Sequence, residues 1–201
     1  MLHRDDDLLV VDKPSGLLSV PGKPESHRDC LEARVRAAFP AALTVHRLDL
    51  ATSGVTVFAL TARAQRHLGL QFERRRLRKT YLARVMGRVG QASGRIALPL
   101  AADWPRRPRQ KVCHDTGRPA ATRWRRVGVE EGASRLVVRP FTGRSHQIRV
   151  HLAAIGHPIL GDPFYAPPEA WAPRLQLHAL ALALRHPADG AWRCWRAPAP
   201  F

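Results

Sequence analysis

Six short segments of this chain alternate apolar with polar residues and follow one another along nearly its whole length: Asp7 to Val11, Ser53 to Leu60, Thr80 to Met86, Ala121 to Val129, Arg135 to Phe141 and Leu175 to Leu184. A period of two suits a strand with one covered face, and a helix cannot satisfy it. Two other segments carry the helical period. In Thr61 to Arg76, residues Ala64, Leu68 and Phe72 share one face behind Thr61 as N-cap, and the opposite face is basic. In Ser145 to Ile155, residues Ile148, Leu152 and Ile155 fall at helical spacing, with Ser145 as N-cap and Gly156 and Pro158 as stop signals. Leu31 to Phe39 is a third candidate helix. Strands that mostly succeed one another, with few helices and no regular βαβ alternation, predict an α+β fold. Its core is a central, largely antiparallel mixed sheet flanked by helices and loops.

The 201 residues suit one domain, and no repeat, low-complexity tract or long linker divides them. The expectation is therefore a single domain over 1–201. No apolar run approaches the roughly 20 residues of a membrane span, and Met1 to Asp7 does not read as a secretion signal. A cytoplasmic address follows as an expectation. Cys30, Cys113 and Cys194 lie far apart, which argues against a disulfide framework or a paired-cysteine zinc site.

Charge narrows the partner. Lys and Arg total 33 against 16 acidic residues, a formal net charge of +17, and such an excess points to a polyanion. Two clusters concentrate it. One comprises Arg63, Arg66, Arg74, Arg75, Arg76, Arg78, Lys79 and Arg84; the other is Trp104-Pro105-Arg106-Arg107-Pro108-Arg109-Gln110-Lys111. The prolines of the second disfavour helix and are expected to keep it extended, with its cations projecting along a phosphate backbone. Neither helix pairs its basic face with apolar anchors, which disfavours a membrane surface. The chain carries no helix-turn-helix spacing, zinc finger or basic zipper, so folded RNA fits better than DNA.

Familiar catalytic arrangements are missing from the sequence. There is no Gly-x-Ser-x-Gly elbow, no His-Glu-x-x-His segment and no Walker or dinucleotide glycine pattern. What remains is Val45 to Gly54, where Asp49 stands among cationic and hydroxyl residues just before a strand. Read alone, Asp49 is a turn aspartate capping local N–H groups, Arg149 a solvent-facing helix arginine, and Tyr81 a packed strand tyrosine.

The motifs taken together say more. His46-Arg47-Leu48-Asp49 followed by Thr52-Ser53-Gly54 resembles the signature of the RluA-type pseudouridine synthases. Asp12-Lys13-Pro14-Ser15-Gly16, Lys79-Thr80-Tyr81-Leu82-Ala83 and Thr142 to His151 resemble three further motifs of that family, in the same order, and Gly156 to Asp162 extends the last. Leu17 to Gly22, Asp103 to Cys113 and Ala172 to Leu175 are similar to the members acting on both tRNA and large-subunit rRNA, although Arg106 and His114 depart from the expected Asn and Tyr.

The resemblance implies an isomerase that needs no cofactor and no metal. It detaches uracil from C1′ of the sugar and rejoins it through C5. Asp49 is the implied catalytic carboxylate, acting either as nucleophile or as base on a sugar proton. Arg149 is its implied ionic partner, keeping it charged in a closed pocket. Tyr81 is implied to stack on the everted base and Arg47 to hold the nucleotide out of the stack. The expected RNA-contacting residues are Arg106, Arg107, Arg109 and Lys111 of the loop, with Lys79 and Arg144. The implied partners are structured RNAs, a tRNA anticodon stem-loop and a 23S rRNA hairpin. A non-catalytic RNA-binding or ribosome-assembly factor of the same fold is the alternative that charge alone leaves open.

Overall fold

The computed structural model describes residues 1–23, 25 and 28–201. In chain order its elements are β1 (His3–Arg4), β2 (Leu8–Lys13), α1 (Leu31–Ala38), β3 (Leu43–Thr44), β4 (Ser53–Ala59), α2 (Ala62–Glu73), β5 (Arg78–Met86), β6 (Ser93–Ile96), β7 (Leu100–Ala102), β8 (Gln110–Val112), β9 (Thr122–Glu130), β10 (Ala133–Pro140), α3 (Gln147–Ala154), β11 (Leu177–Arg185) and β12 (Trp192–Arg196). They fall into two compact units, residues 1–79 with 178–200, and residues 80–177 with 201. The fold is α+β: the β4–β11 pair is parallel, and the pairs β1–β2, β2–β4, β3–β4, β5–β10, β9–β10, β6–β9, β7–β8 and β11–β12 are antiparallel.

In the first unit every residue of β4 is buried, the pattern of a strand covered on both faces. Leu68 and Ala64 of α2 pack with Val55 and Val57 on one side, while Leu31 and Val35 of α1 pack with Leu9 and Phe58 on the other. One edge of β4 pairs with β2 from Ala59 to Gly54. The strand also pairs with β11 at its start and with β3 at its end. At the start, Gly54 has φ +115° and a Cβ there would lie 2.3 Å from the Ala179 carbonyl oxygen, so only glycine permits the approach. Beside it the Ser53 hydroxyl donates to His178 Nδ1 at 2.8 Å while His178 Nε2 donates to the Ala197 carbonyl at 3.1 Å.

Helix α2 begins as its sequence predicts, with Thr61 Oγ1 accepting from Ala64 N–H at 3.1 Å. It ends at Glu73, short of the expected Arg76, because Arg75 turns left-handed (φ 56°) and Arg76 N–H closes back onto the Gln71 carbonyl. One of its basic residues is structural: Arg63 Nη2 donates to both carboxylate oxygens of Asp7, at 2.9 and 3.0 Å.

In the second unit β5, β10, β9 and β6 are antiparallel neighbours in that order. One face is covered by α3: Gln147 Nε2 donates to Thr122 Oγ1 and His151 Nδ1 bonds the same hydroxyl. The hairpin β7–β8 packs through Leu100 and Val112 against Val150 of α3. Ser145 is not the cap of α3, contrary to its sequence reading. The N-cap is His146 in the left-handed region (φ 52°), and the Gln147 side chain instead accepts the Arg144 N–H at 3.1 Å.

Candidate active site

The Asp49 turn is held from both sides by buried polar groups of the first unit. Ser19, buried, donates from Oγ to the Leu48 carbonyl at 2.7 Å and accepts Leu48 N–H at 3.0 Å, fixing the peptide just before Asp49. Lys13 is fully buried, and its ammonium donates to the carbonyls of Pro14, Leu17 and Leu50, the last just after Asp49. Gly16 N–H donates to the same Leu50 carbonyl, and Ser15 Oγ to that of Ala51 at 2.6 Å. The turn closes through Thr52 N–H to the Asp49 carbonyl at 3.1 Å. The Lys13 to Gly16 segment is thus a clamp of the Asp49 turn. Asp49 itself is half-buried and Arg47 exposed. Thr52 Oγ1, buried next to the turn, has no hydrogen-bond partner among the described residues.

His46 takes no proton in this setting. Its ring stacks on Phe72 (centroids 4.5 Å apart) and Nε2 accepts Val57 N–H at 3.1 Å, which fixes the neutral ring. Burial, then the Lys79 charge, push its pKa down to about 3. Burial, then the Arg75 charge, bring the Lys79 ammonium down to about 8. Lys79, read from sequence as an RNA contact, is thus a half-buried cation that titrates near physiological pH.

In the second unit Tyr81 lies on β5 opposite Val138 of β10, which is in turn opposite Trp124 of β9. Tyr81 therefore shares the face that α3 covers. Arg149 is buried in α3 and does not face solvent. Its Nε and Nη2 donate to Asp162 Oδ2 and Oδ1 at 2.7 and 2.6 Å, and Phe164 and Tyr165 lie 5.1 and 5.2 Å from its Cζ. Asp162 also accepts N–H bonds from Phe164 and Tyr165. Gly161 makes this possible: at φ +70°, a Cβ would lie 2.1 Å from the Arg174 carbonyl oxygen. Arg144 donates from Nε to the Pro119 carbonyl at 3.4 Å.

The basic loop is not extended as its prolines suggest. A 3-10 turn at Trp104–Arg106 closes it, with Arg106 N–H to the Asp103 carbonyl and Arg109 N–H to that of Arg106. Arg106 is also ion-paired, Nε to Asp103 Oδ2 at 2.8 Å. Arg107 lies over the ring of Trp104, itself 66% exposed, and Arg109 over Phe164 at 5.7 Å. Lys111 is exposed on β8. Tyr165 anchors the loop base: its hydroxyl accepts Gln110 N–H and bonds His146 Nδ1, both at 2.7 Å.

Sequence reasoning quoted Lys13 and Asp162 within motifs but gave neither a role, and it gave none to Ser19 or Tyr165. A lysine buried in a strand-to-turn segment shows no periodicity to mark it, and a carboxylate thirteen positions from its arginine is not a helical pair. Among the described residues no group of three or more His, Cys, Asp or Glu could hold a metal ion. No helix among them is long and apolar enough to cross a membrane.

Comparison with known proteins gives the chain its class. The sequence profile of the RNA pseudouridylate synthase family matches residues 7–154, and the chain belongs to that family: it is an isomerase acting on RNA. It is 53% identical over 204 residues to the dual-specificity RNA pseudouridine synthase RluA of Escherichia coli (strain K12), covering 100% of this chain and 93% of that protein. Its identity to the RluA of Yersinia pestis is 52%, covering 100% of this chain and 99% of that protein. Among solved structures, human RNA pseudouridylate synthase domain containing 1 superposes with a TM-score of 0.82 at 28% identity, over 100% of this chain and 83% of that one. Human RNA pseudouridylate synthase domain containing 4 shares the fold, with a TM-score of 0.81 at 23% identity over 99% of this chain and 88% of that one.

Proposed function

We propose that residues 1–201 act as one catalytic domain that isomerises uridine in a tRNA anticodon stem-loop and in a 23S rRNA hairpin, with Asp49 as the reacting carboxylate. The observation that carries this reading is the clamp on the Asp49 turn. Ser19 and Lys13 fix the peptides on either side of one half-buried aspartate, the preorganisation that a reacting group needs and a solvated turn does not.

In this reading Asp49 starts the reaction as nucleophile or as base. Arg149, aimed by Asp162, supplies the positive charge that keeps the carboxylate ionised. Tyr81 stacks on the everted uracil, and Arg47 helps to hold the nucleotide out of the stack. Extruding the nucleotide costs a few kcal/mol, less in a loop where fewer pairs break. Arg107, Arg109 and Lys111 hold phosphates, with Arg106, Lys79 and Arg144 adding charge, and the work is cytoplasmic. Two kinds of RNA substrate are supported by the name dual-specificity RNA pseudouridine synthase, shared by relatives that the chain matches over its full length, and their identity as tRNA and 23S rRNA by the resemblance carried by Leu17 to Gly22, Asp103 to Cys113 and Ala172 to Leu175.

Pseudouridine mapping of total RNA from a deletion strain tests the substrates. Loss of one tRNA position and one 23S rRNA position, both restored by wild type and by neither vector nor Asp49→Asn, is expected. Restoration by Asp49→Asn would overturn the role of that residue, and an unchanged tRNA would remove that substrate.

A further inference from the structure

Along β9, Thr122 and Trp124 are buried on the face that α3 covers, so Arg123 and Arg125, between and beyond them, project from the opposite face, and both are exposed. The register carries the pattern across the sheet. Arg123 stands directly opposite Arg95 of β6 on one side and Arg139 of β10 on the other. Three exposed arginines thus form a row over three neighbouring strands, about 4.8 Å apart at the backbone, with Arg125 two residues along. Like charges directly opposite on paired strands are destabilising.

Elsewhere on this face the same problem is solved internally. Arg84 of β5 stands opposite Arg135 of β10, and there Glu131 and Glu130 approach the two guanidinium groups, at 4.0 and 3.7 Å. Among the described residues no carboxylate is ion-paired with Arg95, Arg123, Arg125 or Arg139. Arg123 lies over the exposed ring of Phe141, 5.6 Å from its Cζ.

We propose that the row Arg95, Arg123 and Arg139, with Arg125, is a second RNA-binding surface that holds phosphates on the side of this sheet opposite to Tyr81. Guanidinium groups match phosphate oxygens two at a time, and a strand-borne row holds them more rigidly than a loop. An exposed phenylalanine within the row adds a stacking platform for an unpaired base. Because Tyr81 faces the other way, the surface engages nucleotides away from the one being isomerised. A short stem-loop is read by the catalytic side, and a larger folded RNA gains this second contact. The inference rests on the proposed RNA substrate only for the identity of the polyanion.

The test is fluorescence anisotropy of labelled unfractionated tRNA titrated with wild type and with the triple variant Arg95→Thr, Arg123→Thr, Arg139→Thr, at salt from about 50 to 200 mM. Losing three phosphate contacts should flatten the plot of log affinity against log salt by about 2 to 3 and weaken binding about tenfold or more. The triple lysine variant should keep the slope. Relief of repulsion should leave the melting temperature of the threonine variant unchanged or raised, which establishes that it is folded. Equal affinity and slope in the folded variant would overturn the proposal and leave the face to solvent or to an acidic protein. Anisotropy needs no turnover, so an unchanged slope in a chain that isomerises uridine refutes this surface alone. A flattened slope in a chain that does not isomerise refutes the catalytic reading alone.

Discussion

Arg149 and Asp162 form a fully buried, two-pronged ion pair, Nε and Nη2 donating to the two carboxylate oxygens at 2.7 and 2.6 Å. Removing one partner of such a pair leaves an uncompensated charge in the interior, which costs about 3–5 kcal/mol. Asp162→Ala should therefore lower unfolding stability by about that amount in chemical denaturation. The double variant Arg149→Met, Asp162→Asn, whose amide oxygen still accepts the Phe164 and Tyr165 N–H groups, should recover most of the loss while remaining inactive. Stability that stays low in the double variant would mean that the pair is not what the packing depends on.

The clamp on Asp49 makes a different prediction, because it is made by neutral and charged donors to the main chain. Ser19→Ala strips two hydrogen bonds from the Leu48 peptide and should cost about 1–3 kcal/mol of stability. Turnover at saturating RNA should fall several-fold with little change in KM, since the lost contact positions the carboxylate and touches no RNA. A KM effect with kcat intact would contradict that role.

Acid should unfold this protein earlier than its carboxylates alone dictate. His46 is held neutral, with a pKa of about 3 against the ordinary 6.5. Below pH 6.5 the unfolded chain takes up a proton that the fold refuses, so stability falls as pH drops from 6.5 toward 3. Between pH 6.5 and about pH 4.5 this amounts to about 2–3 kcal/mol. His46→Gln, which keeps an acceptor for Val57 N–H, should flatten that limb of the stability curve. Asp5 acts in a lower window, its pKa of about 2 costing stability only as pH falls from 3.8 toward 2.

Lys79 predicts the opposite edge. With a pKa near 8 it sheds its charge as pH rises through 8, so RNA affinity should fall between about pH 7 and 9, and Lys79→Met should remove that step. Stability moves the other way: the unfolded lysine stays protonated up to its ordinary 10.5, so the fold gains stability as pH climbs from 8 to 10.5. A pH-independent affinity in wild type would remove Lys79 from RNA binding.

Within the basic loop the cations are not equivalent. Arg106 is committed to Asp103, whereas Arg107 and Arg109 lie over aromatic rings. Arg107→Ala with Arg109→Ala should reduce the salt slope of RNA binding by about 1.5 to 2 without loss of stability. Arg106→Ala should cost stability as well, because the buried Asp103 carboxylate loses its partner.

The six alternating strands, the two helices with a clear period and the third candidate helix, Leu31 to Phe39, are all present, with β4 covered on both faces rather than one. The strands that escaped notice, such as β1, β3, β7 and β8, are two or three residues long and too short to show a period. Others failed for local reasons: β12 reads Trp-Arg-Cys-Trp-Arg and is mostly exposed, and Arg75 ends α2 in a conformation usually left to glycine. Of the residues proposed for the site, Asp49, Tyr81 and Arg149 were singled out only through resemblance to family motifs, and the contacts around Asp49 and around Arg149 were not legible. Lys13, Ser19 and Asp162 act on backbone or on a distant partner, and such pairings exist only once the chain has folded.

Chemistry by Asp49 on uridine is read directly by tritium release from RNA labelled at uridine C5, since rejoining through C5 expels that hydrogen. Wild type should release tritium in proportion to the target uridine present, and Asp49→Asn, folded and still binding RNA, should release none above background. Equal release from the two proteins, or none from wild type on any tRNA or 23S rRNA, would contradict the account.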